Sequence, residues 1–186
     1  MPIDTAVLCA ELSAVNAGAA ALCEGLDEDQ LAWRPHPGKW SIAENLIHLR
    51  TTTAVFLPAV DRALQQTLHR DLRSTGPFRL SWYGRLLVRY VEPPPVIRLP
   101  APKALRPLPG SPACALESFL RSQAAMMQRI ETANGLDLAA LRFPSPLASY
   151  VRMNLLEFFS VFNGHARRHL WQANNVPREL PAAERV

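Results

Sequence analysis

The chain has 186 residues, of which 48% are apolar, and its formal net charge is +4. The length suits a single domain over residues 1–186, and the composition is typical of a globular protein. No apolar run approaches ~18 residues, and the first residues lack a basic segment followed by an apolar one. We therefore expect neither a membrane span nor a secretory signal.

Charge and cysteine content limit the partners and the setting. The cations are spread along the chain without a basic block or a phosphate-binding glycine loop, so no nucleic-acid partner is expected. The three cysteines, Cys9, Cys23 and Cys114, are scattered and odd in number. That usage favours a reducing, cytoplasmic setting with unpaired thiols.

The first helix is predicted over residues 3–26, where apolar residues recur at steps of three and four. Two prolines and a glycine within residues 31–40 forbid a continuous helix there and predict a loop.

The second helix is predicted to begin at a capping box. The Ser41 hydroxyl can accept from the Glu44 amide while the Glu44 carboxylate accepts from the Ser41 amide. Apolar spacing continues the helix to about Leu68 or His69, and Pro58 is expected to bend it or end it early.

Residues 71–112, the proline-rich segment, differ in composition from the rest of the chain. A connection this long often carries function, such as a pocket lid. Within it, residues 78–91 interleave apolar residues with arginines, Arg85 among them, and predict a short amphipathic helix. One interpretation is a crossover between two parallel helices, and another is an arginine-aromatic lid over an anionic ligand. A dimer surface and a membrane-surface helix are further alternatives.

The third helix is predicted from Ser111 or Pro112 to about Asn134–Gly135, and the fourth from about Val151 to Asn174 or Asn175. The intervening residues predict a loop, residues 178–186 are expected to be mobile, and no strand is predicted. The expected fold is all-α: a four-helix bundle with a long proline-rich crossover, the insertion at residues 71–112, between helices two and three.

His165 and His169 are the central functional feature of the sequence. Four residues apart on a helix, their side chains are about 40° apart and project from one largely apolar face. Buried imidazoles need polar partners, and a metal ion satisfies two at once. His48, one turn into the second helix, is the candidate third ligand. Three imidazoles suit zinc, nickel or iron and leave a coordination position open, as in a reactive site.

Other polar residues near these histidines have more than one interpretation. Glu44 is either the capping residue alone, an acceptor for the His48 ring, or a general base beside the metal. Gln172 is predicted to orient His169 or contact substrate, with simple polar packing as the alternative. Arg85 is the candidate substrate-binding residue in the proline-rich segment.

Two segments carry a family resemblance. Trp40-Ser-Ile-Ala-Glu-Asn-Leu-Ile-His-Leu49 and His165-Ala-Arg-Arg-His-Leu-Trp-Gln172 resemble the DinB/YfiT-like superfamily of metalloenzymes. The resemblance implies a four-helix bundle whose three histidines, matching His48, His165 and His169, bind one divalent metal. It also implies a homodimer. Relatives include transferases and isomerases that use low-molecular-weight thiols. Many relatives have an acidic residue where this chain has Ala166, which puts the subclass in question.

Two functions follow as hypotheses. The first is a metal-dependent enzyme, either a small-thiol-dependent S-transferase or a hydrolase, in which the metal lowers the pKa of a bound thiol or water. The nucleophile would attack a small electrophilic substrate held under the proline-rich segment. The alternative is a non-catalytic, stress-related helical bundle that binds a small ligand or a protein partner.

Overall fold

The structure is a computed structural model that describes residues 2–95, 100–107 and 112–179. These residues form a mainly helical fold, which confirms the predicted class. The elements in chain order are α1 (Thr5–Cys23), α2 (Glu28–Ala32), α3 (Ile42–His69), α4 (Trp82–Val91), α5 (Ala115–Thr132), β1 (Phe143–Pro144), β2 (Arg152–Met153) and α6 (Leu155–Asn175). Single 3₁₀ turns lie at Lys103–Leu105, Pro112–Cys114 and Pro177–Glu179.

The capping box predicted for α3 is confirmed. Ser41 Oγ accepts from the Glu44 amide at 3.1 Å, and Glu44 Oε2 accepts from the Ser41 amide at 2.9 Å. Pro58 lies inside α3 and does not end it, since the helix continues to His69. The α3 boundaries agree with the sequence because its start is fixed by a local hydrogen-bond pattern.

The end of α5 also agrees with prediction. The helix stops at Thr132, and Gly135 follows with φ of 79°, in the left-handed region that glycine adopts without steric cost. Ser111, the alternative start of the third predicted helix, lies outside the described residues. So does most of the predicted mobile tail, residues 180–186.

The loop predicted over residues 31–40 is wrong at its first two positions. Leu31 and Ala32 belong to α2, which begins with a capping box between Asp27 and Gln30. Tertiary contact with α3 and burial of Leu31 hold this five-residue helix, which is too short to be stable alone.

The expectation of no strand was also wrong. Phe143 pairs with Met153 and Pro144 with Arg152 in a two-stranded antiparallel sheet. The fourth predicted helix, α6, consequently starts at Leu155 rather than about Val151. Asn154 is its N-cap and forms a capping box with Glu157.

The core lies between the long helices. α1 and α3 each pack against both α5 and α6, and α4 packs against α6. Phe159 and Phe119 are fully buried in this core, in two neighbouring clusters of apolar side chains. Burial of such apolar surface is the main stabilising contribution to the fold. The contact of α3 with α6 is the one that positions the histidines.

The amphipathic helix predicted within the proline-rich segment is α4. It lies close to α6 at two glycines: a Cβ at Gly84 would be 2.8 Å from Glu157 Cγ, and one at Gly164 would be 3.1 Å from Glu92 Oε1. An ion pair between Arg167 and Glu92 adds to this contact. Further along the segment, Leu105 is buried in a 3₁₀ turn that contacts α3. Residues 96–99 and 108–111 of the segment lie outside the described residues.

Among the residues that the structure describes, one helix, α1, is long and apolar enough to cross a membrane by length and composition, with a mean hydropathy of 1.6. A core helix of a soluble protein and an N-terminal signal pass the same test. One side of α1 is buried against α5 and α6 through Leu8, Leu12, Val15 and Ala19. The expected absence of a membrane span stays a prediction.

Candidate metal centre

Three imidazoles converge where α3 contacts α6. His48 comes from α3, and His165 and His169 come from successive turns of α6. One ring nitrogen from each lies within 4.8 Å of the other two, and His48 Nε2 is 3.3 Å from His165 Nε2. The fold therefore brings together all three histidines predicted as metal ligands.

The distance between two of these nitrogens fits a single small ion bound by both. Two nitrogens bound to a tetrahedral zinc at 2.0–2.1 Å are about 3.3 Å apart. That value matches the distance between the Nε2 atoms of His48 and His165. Three neutral nitrogen donors also suit other borderline divalent ions.

Two of the rings are oriented by acceptors on their outer nitrogens. His48 Nδ1 lies 2.6 Å from the carbonyl oxygen of Leu105, and His169 Nδ1 lies 3.0 Å from Asn45 Oδ1. Asn45 Nδ2 donates to the Ser41 carbonyl at 2.9 Å, so its oxygen is the atom that faces His169. Because these acceptors place the proton on Nδ1, each neutral ring keeps a lone pair on Nε2 for a metal.

Trp40 covers one side of the cluster. Its ring stacks on His169 at a centroid distance of 5.6 Å and an interplanar angle of 24°, and it lies 4.8 Å from the His48 ring. His48 and His169 are buried, whereas His165 remains partly exposed. Of the three histidines, His165 is therefore the one nearest to solvent.

Burial keeps these histidines neutral. It lowers the pKa of His165 to about 3, with the neighbouring His48 and Arg168 acting in the same direction. Burial is likewise the main cause of the lowered pKa of His48 and of the pKa of His169, which lies well below its usual value. Neutral imidazole is the form that binds metal ions, so a cation that binds here does not have to displace protons from these rings.

The Glu44 side chain pairs with groups other than the histidines. Its carboxylate accepts from the Ser41 amide and forms an ion pair with Arg34, whose Nε donates to Oε2 at 2.7 Å. The acceptor for the His48 ring is the Leu105 carbonyl, not Glu44. The capping role of Glu44 is confirmed, and its role as a general base stays a prediction.

Neither of the two predicted substrate-binding residues forms a hydrogen bond with the histidines in the part of the chain that the structure describes. Gln172 is half-buried one turn after His169, and within the described residues it makes no hydrogen bond to the histidines. Arg85 is exposed on α4 and donates to the carbonyl oxygen of Leu80 at 2.9 Å. Their substrate roles stay predictions.

Three groups at the site were not identified from the sequence as partners of the histidines: Asn45, the Leu105 carbonyl and Trp40. The position of Asn45 could have indicated this contact. It lies three residues before His48 and so shares the face of α3 that turns to the core. Nothing in the sequence could have indicated the Leu105 carbonyl, since every residue carries a backbone carbonyl. Trp40 ends the segment predicted as a loop, and nothing in that position indicates a contact with the histidines.

Comparison with known proteins agrees with this site. The sequence profile described as the DinB superfamily matches residues 11–173, which include all three histidines. Searches of curated proteins and of solved structures gave no significant match. The chain belongs to the DinB superfamily.

Proposed function

We propose that the protein is a metal-dependent enzyme that holds one divalent ion between His48, His165 and His169. The observation that carries the proposal is the convergence of three neutral imidazoles, two of them with acceptors on the outer nitrogen. These acceptors leave the Nε2 lone pairs of His48 and His169 available for a metal. Membership of the DinB superfamily supports the same conclusion.

Three protein ligands leave a coordination position free, which is typical of reactive metal sites. When bound, the ion supplies Lewis-acid chemistry to a group placed at that position. The chain's own residues prepare the site: Asn45 and the Leu105 carbonyl hold the ring protons on Nδ1, and Trp40 excludes water from one side. Zinc, nickel and iron all suit imidazole ligands.

For the reaction we propose S-transfer with a low-molecular-weight thiol as co-substrate, with hydrolysis as the second possibility. The chain's own thiols support an external nucleophile. Burial raises the pKa of Cys9 and of Cys23, which disfavours their thiolates near neutral pH, and neither these two nor the exposed Cys114 belongs to the histidine cluster. The substrate is a small electrophile that approaches from the side of His165.

The proposal includes the architecture and setting of the family. The contacts of α1 and α3 with α5 and α6 support a four-helix bundle, and the proline-rich segment supports a crossover between its second and third helices. A homodimer and a cytoplasmic location complete the proposal, and sedimentation and cell fractionation test them.

Metal analysis of protein purified without a histidine tag tests the site. The unchanged protein is expected to bind one divalent ion per chain, and His165→Ala is expected to lose it. His69→Ala is the matched control, because His69 lies exposed at the end of α3, away from the cluster. Full metal content in His165→Ala would refute the proposed site.

A metal-free protein would favour the alternative function. The Nε2 atoms of His48 and His165 are close enough for a hydrogen bond, so a cluster without metal is sterically possible. That protein would be a non-catalytic binding bundle. Replacing His48 would then leave its ligand or protein binding unchanged.

A further inference from the structure

The outer face of α4 presents large apolar side chains to solvent. Trp82, Leu86 and Tyr90 are 71%, 42% and 41% exposed. They are spaced four residues apart and therefore lie within about 80° of the helix circumference. Exposed rings of this size on one stripe indicate a surface that binds something.

Arginines accompany this stripe. Arg85 and Arg89 lie on α4 beside the apolar residues, and Arg79 precedes the helix; all three are exposed. The sequence has no acidic residue from position 72 to position 91. Within the part of the chain that the structure describes, none of the three arginines forms an ion pair with a carboxylate. The face is therefore both apolar and uniformly positive.

The inner side of α4 packs against the rest of the protein. Gly84 lies against Glu157, and Arg168 Nη1 donates to the Tyr90 carbonyl at 3.0 Å. Trp171, one turn after Arg168 on α6, is a further exposed aromatic side chain, at 41%. Internal packing thus fixes the helix without using its outer face.

We propose that this outer face of α4 docks the protein on the surface of an anionic lipid bilayer. An interfacial helix combines aromatic and leucine side chains, which enter the headgroup boundary, with basic residues that meet anionic headgroups. Trp and Tyr have an apolar body and a polar tip, which suits that boundary. Arginine pairs with phosphate through two parallel hydrogen bonds.

Size and charge argue against protein partners at this face. A two-fold contact with a second copy would bring Arg85 and Arg89 against the same arginines, with no carboxylate on α4 to compensate. A ten-residue helix is about 15 Å long, and one face of it is much smaller than the ~800 Å² that a stable protein interface buries on each side. A bilayer requires only a shallow apolar stripe with adjoining cations.

Flotation of the full chain with lipid vesicles tests the proposal. Vesicles of phosphatidylcholine alone are compared with vesicles containing phosphatidylserine, at low and high salt. The protein is expected to float with the anionic vesicles only, and less at high salt. Arg85→Glu combined with Arg89→Glu is expected to weaken binding at least about tenfold, because each basic residue near an anionic surface contributes substantially to binding.

The matched control is Arg62→Glu combined with Arg70→Glu, which makes the same change in net charge at exposed positions in α3 and directly after it. It is expected to bind as the unchanged protein does. Trp82→Ser tests the apolar part and is expected to weaken binding without changing its salt dependence, while circular dichroism verifies folding. Equal losses in the two charge variants, or no binding of the unchanged protein to anionic vesicles, would overturn the proposal. If the unchanged protein does not bind anionic vesicles, an acidic protein is the partner that this face would fit instead.

Discussion

Asn45 gives the sharpest test of how the metal centre is oriented. Its side chain connects the Ser41 carbonyl to His169 Nδ1, at 2.9 and 3.0 Å. Replacing Asn45 with Ala removes the acceptor that holds the proton on Nδ1. The His169 ring can then rotate or change tautomer, and its Nε2 lone pair is no longer fixed towards the other two histidines.

The magnitude follows from the contacts that are lost. Removing such an outer partner of a metal-bound histidine typically reduces metal affinity about 10- to 100-fold, or about 1.4 to 2.7 kcal/mol. The Ser41 carbonyl keeps its bond from the Asn45 backbone amide at 3.2 Å. The group left unpaired is the buried His169 N–H, which costs the metal-free protein about 1 to 3 kcal/mol of unfolding free energy.

Asn163→Ala separates the two effects. Asn163 is fully buried and its amide donates to the Leu8 carbonyl at 2.9 Å and to Glu11 Oε2 at 3.0 Å, away from the histidines. Both variants are expected to lose stability in urea unfolding. Only Asn45→Ala should lose metal affinity, measured by competition with a chromogenic chelator. Asn45→Asp, which restores an acceptor, should recover that affinity. The reasoning fails if Asn45→Ala binds metal as tightly as the unchanged protein, or if Asn163→Ala loses as much.

Two further predictions concern pH and a buried carboxylate. Because the pKa of His165 falls from 6.5 to about 3 on folding, the unfolded chain binds a proton in that range and the folded chain does not. The unfolding free energy of the metal-free protein should therefore decrease as pH falls from 6.5 towards 3, and His165→Gln should reduce that slope in urea titrations at several pH values. Glu157 is fully buried and accepts from Arg142 at 2.7 Å and from the Ser81 hydroxyl at 2.6 Å, so Glu157→Gln should cost about 2 kcal/mol in urea unfolding. The exposed ion pair of Glu117 with Arg121 provides the control, and Glu117→Gln should change little.

The parts of the site that the sequence predicted depend on short-range spacing. His165 and His169 share a helix face because of their separation by four, and the capping box at Ser41 fixes where α3 begins. Spacing alone does not place His48 beside the other two histidines, because its approach to them depends on how α3 packs against α6. The sequence indicates His48 as the candidate third ligand by its place one turn into the second helix, and the family resemblance matches the same position.

The parts that were missed have different physical causes. Asn154 and Glu157 form a capping pattern that is visible in the sequence, so the start of α6 was open to prediction. The pairing of Phe143 with Met153 was not, because two-residue strands are too short to show alternation. The Leu105 carbonyl reaches His48 across 57 positions of sequence separation, through a segment without regular spacing.

The contact between Leu105 and His48 changes how variation in the proline-rich segment should be interpreted. The acceptor is a backbone atom, so replacing the Leu105 side chain by another residue leaves the carbonyl itself in place. Inserting or deleting a residue between α4 and α5 moves that carbonyl along the chain. We therefore expect this segment to tolerate many changes of composition and few changes of length, and a scan of single substitutions would understate its importance to the metal centre.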